Sequence, residues 1–498
     1  MPFLHVGMSI GTIWTASVLL LHLVYLTSKG KSLPEILVPI KSNLPALLLF
    51  FFFIFHLVAL LWTDDFGYAY NDIRIKLPLL VFALACGILP PLSSKELRTL
   101  AISFAVSCTL ALIYSTYKLH YDPMHEGVDR NAAGIFISHI RFGLMSAMAV
   151  GIWLWLWQQR VMRFVPLVMP VISIICQWQL GMMTGLVMSA VAIVLFVLFV
   201  NKYLRIAIIG ASLAALAFVL FLANEHFTPK EKFLSEKRFS ENGEPYHANP
   251  SNKQLENGYY VWNHIAYNEL ETHWMKVAGI SLDSLDGRGN PLRSTLIRYI
   301  TSLGLPKDST GIAQLSPGQI QEVKSGIASP ETERKTGFEK RLSEIFFELN
   351  AYQNGANPCG NSLTQRLEFQ KAALAIATDN PLIGVGTGDV KISFEKYYAK
   401  IDSQLDFKYR LRAHQQFLTI WIAFGAFGLL LFTMMLWYAP LRNRTLFYYL
   451  PLTFIVISSL SFLSEDTLET QAGATFFGWF YGLLIIAGQL IFGQQTGD

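Results

Sequence analysis

Long apolar stretches alternate with short polar ones over most of this chain. A membrane-crossing helix needs about 20 mostly apolar residues. Eleven stretches qualify or come close: 4–27, 45–62, 77–91, 99–119, 132–157, 163–178, 182–200, 204–223, 413–438, 446–464 and 472–492. The third and sixth are short. Several carry Pro or Gly, which membrane helices tolerate. The first has no basic residues ahead of it and runs too long for a signal's apolar core, so it reads as a span. The pattern predicts an all-α, polytopic membrane protein.

The polar connections predict its orientation. One set of short loops holds Lys29, Lys31, Lys41, Lys95, Arg98, Arg160, Arg163, Lys202, Arg205, Arg442 and Arg444, against Glu35, Glu96 and Asp498. The alternate set holds Asp64, Asp65, Asp72, Asp122, Glu126, Asp129, Glu465, Asp466 and Glu469, against Arg74, Lys76, Lys118 and Arg130. The positive-inside rule puts the first set in the cytoplasm. The N-terminus and the long segment 224–412 are then outside, and the C-terminus is inside.

The expected domains are therefore an N-terminal transmembrane bundle of about eight helices over 1–223, an outer segment over 224–412, and three C-terminal transmembrane helices over 413–498. An outer segment of this length needs structure of its own. Its beginning, 224–252, is polar and rich in Pro and Asn. Amphipathic stretches follow at 255–277, 337–352 and 362–378, with helical spacing of apolar positions. Asp286-Gly287, Gly289-Asn290-Pro291 and Ser316-Pro317-Gly318 mark turns between them. The segment reads as a helical cap or an acceptor-side lid.

Composition sharpens this picture. Of 498 residues, 52% are hydrophobic and 15% charged, against about 25% charged in a typical soluble domain. Residues 224–412 hold 23 Lys/Arg and 23 Asp/Glu, leaving 16 and 12 for the other 309 positions. Such sparing of charge is what hydrocarbon demands. Disordered, collagenous and disulfide-scaffold classes are excluded. Cys359 is alone in the outer segment, so no disulfide forms within it. The basic residues form no long patch, and nucleic acid is not a predicted partner.

Three places carry candidate chemistry. Arg141, in Ser138-His139-Ile140-Arg141-Phe142-Gly143-Leu144, lies about nine residues inside the fifth apolar stretch, roughly 13 Å of helix. An arginine there is costly unless it meets water or an anion, or pairs with a carboxylate such as Asp129. Arg366 precedes Asp379-Asn380-Pro381-Leu382-Ile383-Gly384-Val385-Gly386-Thr387-Gly388, a helix stop and a glycine turn. Alternate glycines let backbone N–H groups approach phosphate. No Gly-Lys-Ser/Thr follows and no strand precedes, so a structural turn accounts better for the motif. His414, in Arg410-Leu411-Arg412-Ala413-His414-Gln415-Gln416, heads the ninth stretch. An adjacent positive charge favours a neutral imidazole, as a general base requires. No His-x-x-x-His, Cys-x-x-Cys or clustered carboxylate pair predicts a metal. Asp64-Asp65 reads as a solvated loop cap, and His22 and His56 as hydrogen-bonded core residues.

These features together resemble the bacterial O-antigen ligase and polymerase superfamily. The likeness rests on Arg366-Leu367 ahead of Asn380-Pro381-Leu382-Ile383-Gly384-Val385-Gly386, then His414-Gln415-Gln416-Phe417-Leu418 and Gly425-Ala426-Phe427-Gly428. Ser138–Leu144 resembles the family's earlier arginine element. The resemblance implies a GT-C-like inner-membrane enzyme whose active site faces the periplasm. It implies transfer of a glycan from undecaprenyl diphosphate to lipid A–core, with no metal, cofactor or nucleotide sugar. Related members polymerise lipid-linked repeats or glycosylate proteins. Arg141, Arg366 and Arg412 would bind the diphosphate, and His414 would activate the acceptor hydroxyl. Ligases of this family usually have twelve spans with both ends cytoplasmic, one more than the eleven found here.

Overall fold

The structure, a computed structural model, describes residues 5–121, 137–200, 238–335 and 337–488, except 360, 402 and 404, together with scattered positions between 210 and 230. Its contacts divide the chain into two compact units. The first comprises Met1–Ile208, Phe369–Ser403 and Arg410–Asp498; the second comprises Ile209–Glu368 and Gln404–Tyr409. The division therefore falls at positions other than 224 and 412, and residues 369–403 group with the apolar helices.

The first unit is a helical bundle. Its principal helices are α1 (His5–Ser28), α2 (Leu33–Ser42), α3 (Leu44–Val58), α4 (Phe66–Ile88), α5 (Ser94–Tyr121), α6 (His139–Gln158), α7 (Val165–Gln179) and α8 (Met183–Val200). Among the described residues, six helices have the length and apolarity to cross a membrane: Met8–Ser28, Leu44–Trp62, Ser94–Leu119, His139–Gln158, Met183–Val200 and Gln416–Arg442. Val165–Gln179, Tyr449–Ser464 and Gln471–Ile486 are shorter apolar helices. Of the two other expected stretches, 77–91 is the apolar end of α4. Its opposite end carries Asp72, Arg74 and Lys76. The stretch 204–223 lies largely outside the described residues. Helix α6 is central, with 83% of its apolar window buried. It therefore supplies the frame on which the site is built.

The second unit has its own core. A short hairpin pairs β1 (Leu255–Glu256) with β2 (Tyr259–Tyr260), with Leu255 opposite Tyr260. The stretch 255–277 is therefore not helical throughout. Asn257 and Gly258 both take positive φ, 52° and 88°, the backbone that a two-residue hairpin turn requires and that Asn-Gly favours. Helix α9 (Tyr267–Ala278) follows, then α10 (Leu292–Ser302) and α11 (Pro317–Lys324). Leu270, Trp274, Leu296, Tyr299 and Ile300 are buried together. The expected turns form as read. Asp286 accepts from the backbone N–H of Arg288 and Asn290, both at 2.9 Å. Ser316 and Gln319 form a reciprocal cap on α11. Helix α12 (Gly337–Gln353) matches the second amphipathic stretch, and α13 (Ser362–Asp379) matches the third.

Beyond α13, the first unit resumes with α14 (Val390–Lys400), α15 (Gln416–Thr433), α16 (Tyr449–Ser464) and α17 (Gln471–Phe480). Helix α15 is broken at Gly425, where φ is 63° and ψ −163°. A break in an apolar helix strands backbone groups that need partners. The chain just after α13 supplies them. Val385 N donates to Ile422 O at 2.8 Å, and Gly386 N to Ala423 O at 2.9 Å. Ala426 N donates in turn to Pro381 O at 2.8 Å. Glycine is required on both sides of this seam. A Cβ at Gly384 would overlap the Ala423 backbone, and one at Gly425 would overlap the Leu382 carbonyl. The glycine turn thus has a structural task, as its sequence suggested.

Candidate active site

The seam fixes the entrance of α15, and the residues just ahead of it form one wall of a cavity. Tyr398 on α14 donates its hydroxyl to Leu411 O at 2.9 Å. Ala413 is fully buried. Gln415 caps α15 by accepting from Leu418 N at 2.6 Å. Between these anchors His414 takes φ 47°, a left-handed backbone uncommon for a residue with a side chain. Such a conformation costs about 1–3 kcal/mol and persists where the surroundings impose it.

The opposite wall is the loop between α16 and α17, residues 465–470. The first turn of α15 grips it. Thr419 donates to Asp466 Oδ1 at 2.7 Å, Gln416 Nε2 to Glu469 Oε1 at 3.2 Å, and Leu468 N to Gln416 Oε1 at 2.7 Å. His414 Nδ1 then faces Glu465 Oε2 at 3.5 Å, and its ring lies 5.6 Å from that of Phe369. A buried carboxylate therefore faces this imidazole.

Beneath the cavity lies an ionic cluster. Lys76 is buried on α4 and contacts Asp72 Oδ1 at 2.6 Å and Glu469 Oε1 at 2.9 Å. Glu469 also meets Arg412 Nη1 at 3.4 Å, and Arg412 donates to the Tyr68 hydroxyl. Burial opposes the Glu469 charge, but Lys76 and Arg412 outweigh it and hold the carboxyl below its usual range. Burial likewise opposes the Arg412 charge. Glu469 and Tyr68 more than offset it, so the guanidinium is held above its ordinary value. Burial lifts the Asp466 carboxyl, with Arg412 opposing.

Arg141 closes the site. Helix α6 begins at His139, so this arginine sits in its first turn rather than nine residues deep. Residues 122–136, including Asp129, lie outside the described residues. Arg141 Nε donates to Thr470 Oγ1 at 2.8 Å. Thr470 in turn caps α17 by accepting from Gly473 N at 3.3 Å.

Arg141, Arg412 and His414 thus line one cavity of about 460 Å³, together with Glu465, Asp466, Glu469 and Tyr68. That volume lies within the usual range for small-molecule sites. Arg366 belongs to the second unit, on α13. The sequence reading missed Glu465, Glu469, Tyr68 and the Asp72–Lys76 pair. Its usable signal was three carboxylates within five positions between two apolar helices, and an Asp-x-x-x-Lys step on one helix face. Asp64 is exposed and Asp65 caps α4 by accepting from Tyr68 N at 2.8 Å, as the sequence suggested. Their backbone N–H groups donate to the two Asp389 oxygens, both at 2.8 Å. His56 behaves as expected, with Nδ1 2.8 Å from Phe52 O.

Fold and cavity define a helical, multi-pass membrane protein with cationic and carboxylate groups gathered at one end of its bundle. Residues 336–433 match the model of the O-antigen ligase family. The match supports the O-antigen ligase and polymerase superfamily, whose members are glycosyltransferase-like enzymes. It spans α12, the glycine seam, Arg366, Arg412 and His414, and ends with α15. No curated protein matches the chain.

Proposed function

We propose that the protein is an inverting glycosyltransferase of the periplasmic face of the bacterial inner membrane. It moves a glycan from undecaprenyl diphosphate to an acceptor hydroxyl on lipid A–core. The observation that carries this reading is the meeting of Arg141, Arg412 and His414 in one cavity, with Glu465 against the imidazole. The matched family supports ligase- or polymerase-type transfer in general; lipid A–core is the acceptor adopted in this proposal, ahead of another lipid-linked repeat or a protein.

The chemistry follows from the groups present. With Nδ1 donating to Glu465, the lone pair of His414 is on Nε2. The acceptor oxygen forms its bond to the anomeric carbon as its proton passes to Nε2. The bond from that carbon to the diphosphate oxygen breaks on the opposite side, and the diphosphate leaves with the electron pair. Arg141 and Arg412 stabilise the charge that develops there, in a site partly shielded from water. By resemblance to the family's motif, Arg366 is a further candidate for the donor diphosphate. The two guanidinium groups do the work that a divalent cation does elsewhere.

Purified protein, given lipid-linked glycan and lipid A–core in detergent with EDTA throughout, should form the joined product. Absence of product with a stably folded protein overturns the reading and leaves a transporter of the same lipid. A deletion strain identifies the acceptor. Polymer accumulating on undecaprenyl diphosphate is the ligase outcome. A single repeat left on the core is the polymerase outcome, and overturns the ligase assignment.

A further inference from the structure

His56 is a buried histidine that the proposed mechanism does not use. It is fully buried on α3, against the rings of Phe52 and Phe424. Its Nδ1 lies 2.8 Å from Phe52 O. A carbonyl only accepts, so Nδ1 carries the hydrogen, and in the neutral ring Nε2 is an acceptor. That Nε2 is buried and has no hydrogen-bond partner among the described residues. Folded proteins rarely leave a buried acceptor unmet, because its lost hydration is then not replaced.

A cavity of about 10 Å³ adjoins the ring. That is room for one water and nothing larger. Its polar lining includes Tyr68, Asp72 and Lys76 on α4, Thr419 on α15, and Glu469. A cation here would face Lys76, and an anion would face Asp72 and Glu469, so a neutral occupant fits best. Tyr68 accepts from Arg412 Nη1, which leaves its own hydroxyl hydrogen to donate elsewhere. Tyr68 and Glu469 also line the larger cavity that holds Arg412 and His414. These two side chains are thus a wall common to both spaces.

We propose that one water is bound here as a fixed part of the site. It donates to His56 Nε2, accepts from the Tyr68 hydroxyl, and gives its second hydrogen to the carboxylate of Asp72 or Glu469. Three such bonds are usual for a buried water. Through this water His56 orients Tyr68, and Tyr68 and Glu469 together orient Arg412. His56 is therefore a positioning residue for an anion-binding arginine. The positioning role rests on the donor reading above, in which Arg412 meets the diphosphate; the water site does not.

A structure of the unaltered protein that resolves ordered water tests the site. Density about 2.7–3.2 Å from His56 Nε2 is expected, and its absence there overturns the proposal. Binding of inorganic pyrophosphate tests the positioning role. His56→Leu removes the acceptor and should weaken that binding about tenfold, roughly the effect of one hydrogen bond to a charged group. His56→Gln returns a polar atom near the Nε2 position and should restore most of the affinity. Tyr68→Phe should weaken binding at least as much as His56→Leu. Combining the two should do no further harm, because both cut the same chain of contacts.

Additive losses, no loss in His56→Leu, or a His56→Gln variant as weak as His56→Leu would each overturn the positioning role. Arg412→Gln separates this failure from that of the donor reading. If it leaves pyrophosphate binding unchanged while the water density is present, Arg412 does not hold the diphosphate. The positioning role then falls with the donor reading, and the water site stands.

Discussion

At the scale of single residues, the proposed mechanism separates groups that would do chemistry from groups that hold others in place. His414→Ala removes the proposed base and leaves both cavity arginines. Transfer should fall about 10²–10⁴-fold while donor binding stays near wild type; turnover at saturating donor and a separate binding titration check this. A stable variant that keeps more than about a tenth of the rate removes His414 from that role. Lys76 fails differently. It is buried against Asp72 and Glu469, and removing one partner from a buried ionic cluster costs about 3–5 kcal/mol because the others remain uncompensated. Lys76→Met should lower the thermal unfolding midpoint strongly. Lys76→Met combined with Asp72→Leu, which removes a stranded carboxylate too, should lower it less. A double variant worse than the single one would show that the cluster is not the source of the loss.

At the scale of elements, the site depends on a broken helix and the turn that mends it. Gly425→Ala places a Cβ on the Leu382 carbonyl and forces a positive φ on a residue that disfavours it. The expected cost is about 3 kcal/mol or more, from steric overlap and backbone strain together. Gly243→Ala is the control: φ is also positive, at 89°, but nothing lies within 4 Å of the added Cβ. Its cost should be about 1–2 kcal/mol. Chemical or thermal denaturation in detergent compares the two. Equal losses would mean that backbone conformation, not close packing, sets the seam. The Gly425 variant should also lose transfer beyond its loss of stability, because Gln416 and Thr419 on the same helix hold the 465–470 loop.

At the scale of the whole molecule, the testable property is orientation. The loop charges predict that 224–412 lies outside and the C-terminus inside. Gly318 is exposed at the start of α11. In a Cys359→Ser background, Gly318→Cys should react with an impermeant thiol reagent on intact spheroplasts. A C-terminal tag should become accessible only after lysis. Protection of Gly318→Cys until lysis would invert the topology and remove the periplasmic assignment with it.

The local pattern was enough for much of this protein. Apolar runs gave the helices because hydrocarbon admits no unpaired backbone, and the Pro and Gly punctuation ended α13 where it does end. The motif spacing marked Arg366, Arg412 and His414 because those residues stand in one stretch of chain. Tertiary structure alone decided which distant groups meet. Lys76 and Glu469 stand 393 positions apart, and as loop charges they look solvated; packing of α4 beneath the α16–α17 loop turns them into the floor of the site. It likewise set a carboxylate, Glu465, against His414 where the adjacent sequence offered only arginines. Hydrophobic period is a property of neighbours along the chain. Charge pairing is a property of neighbours in space, and only the folded bundle defines those.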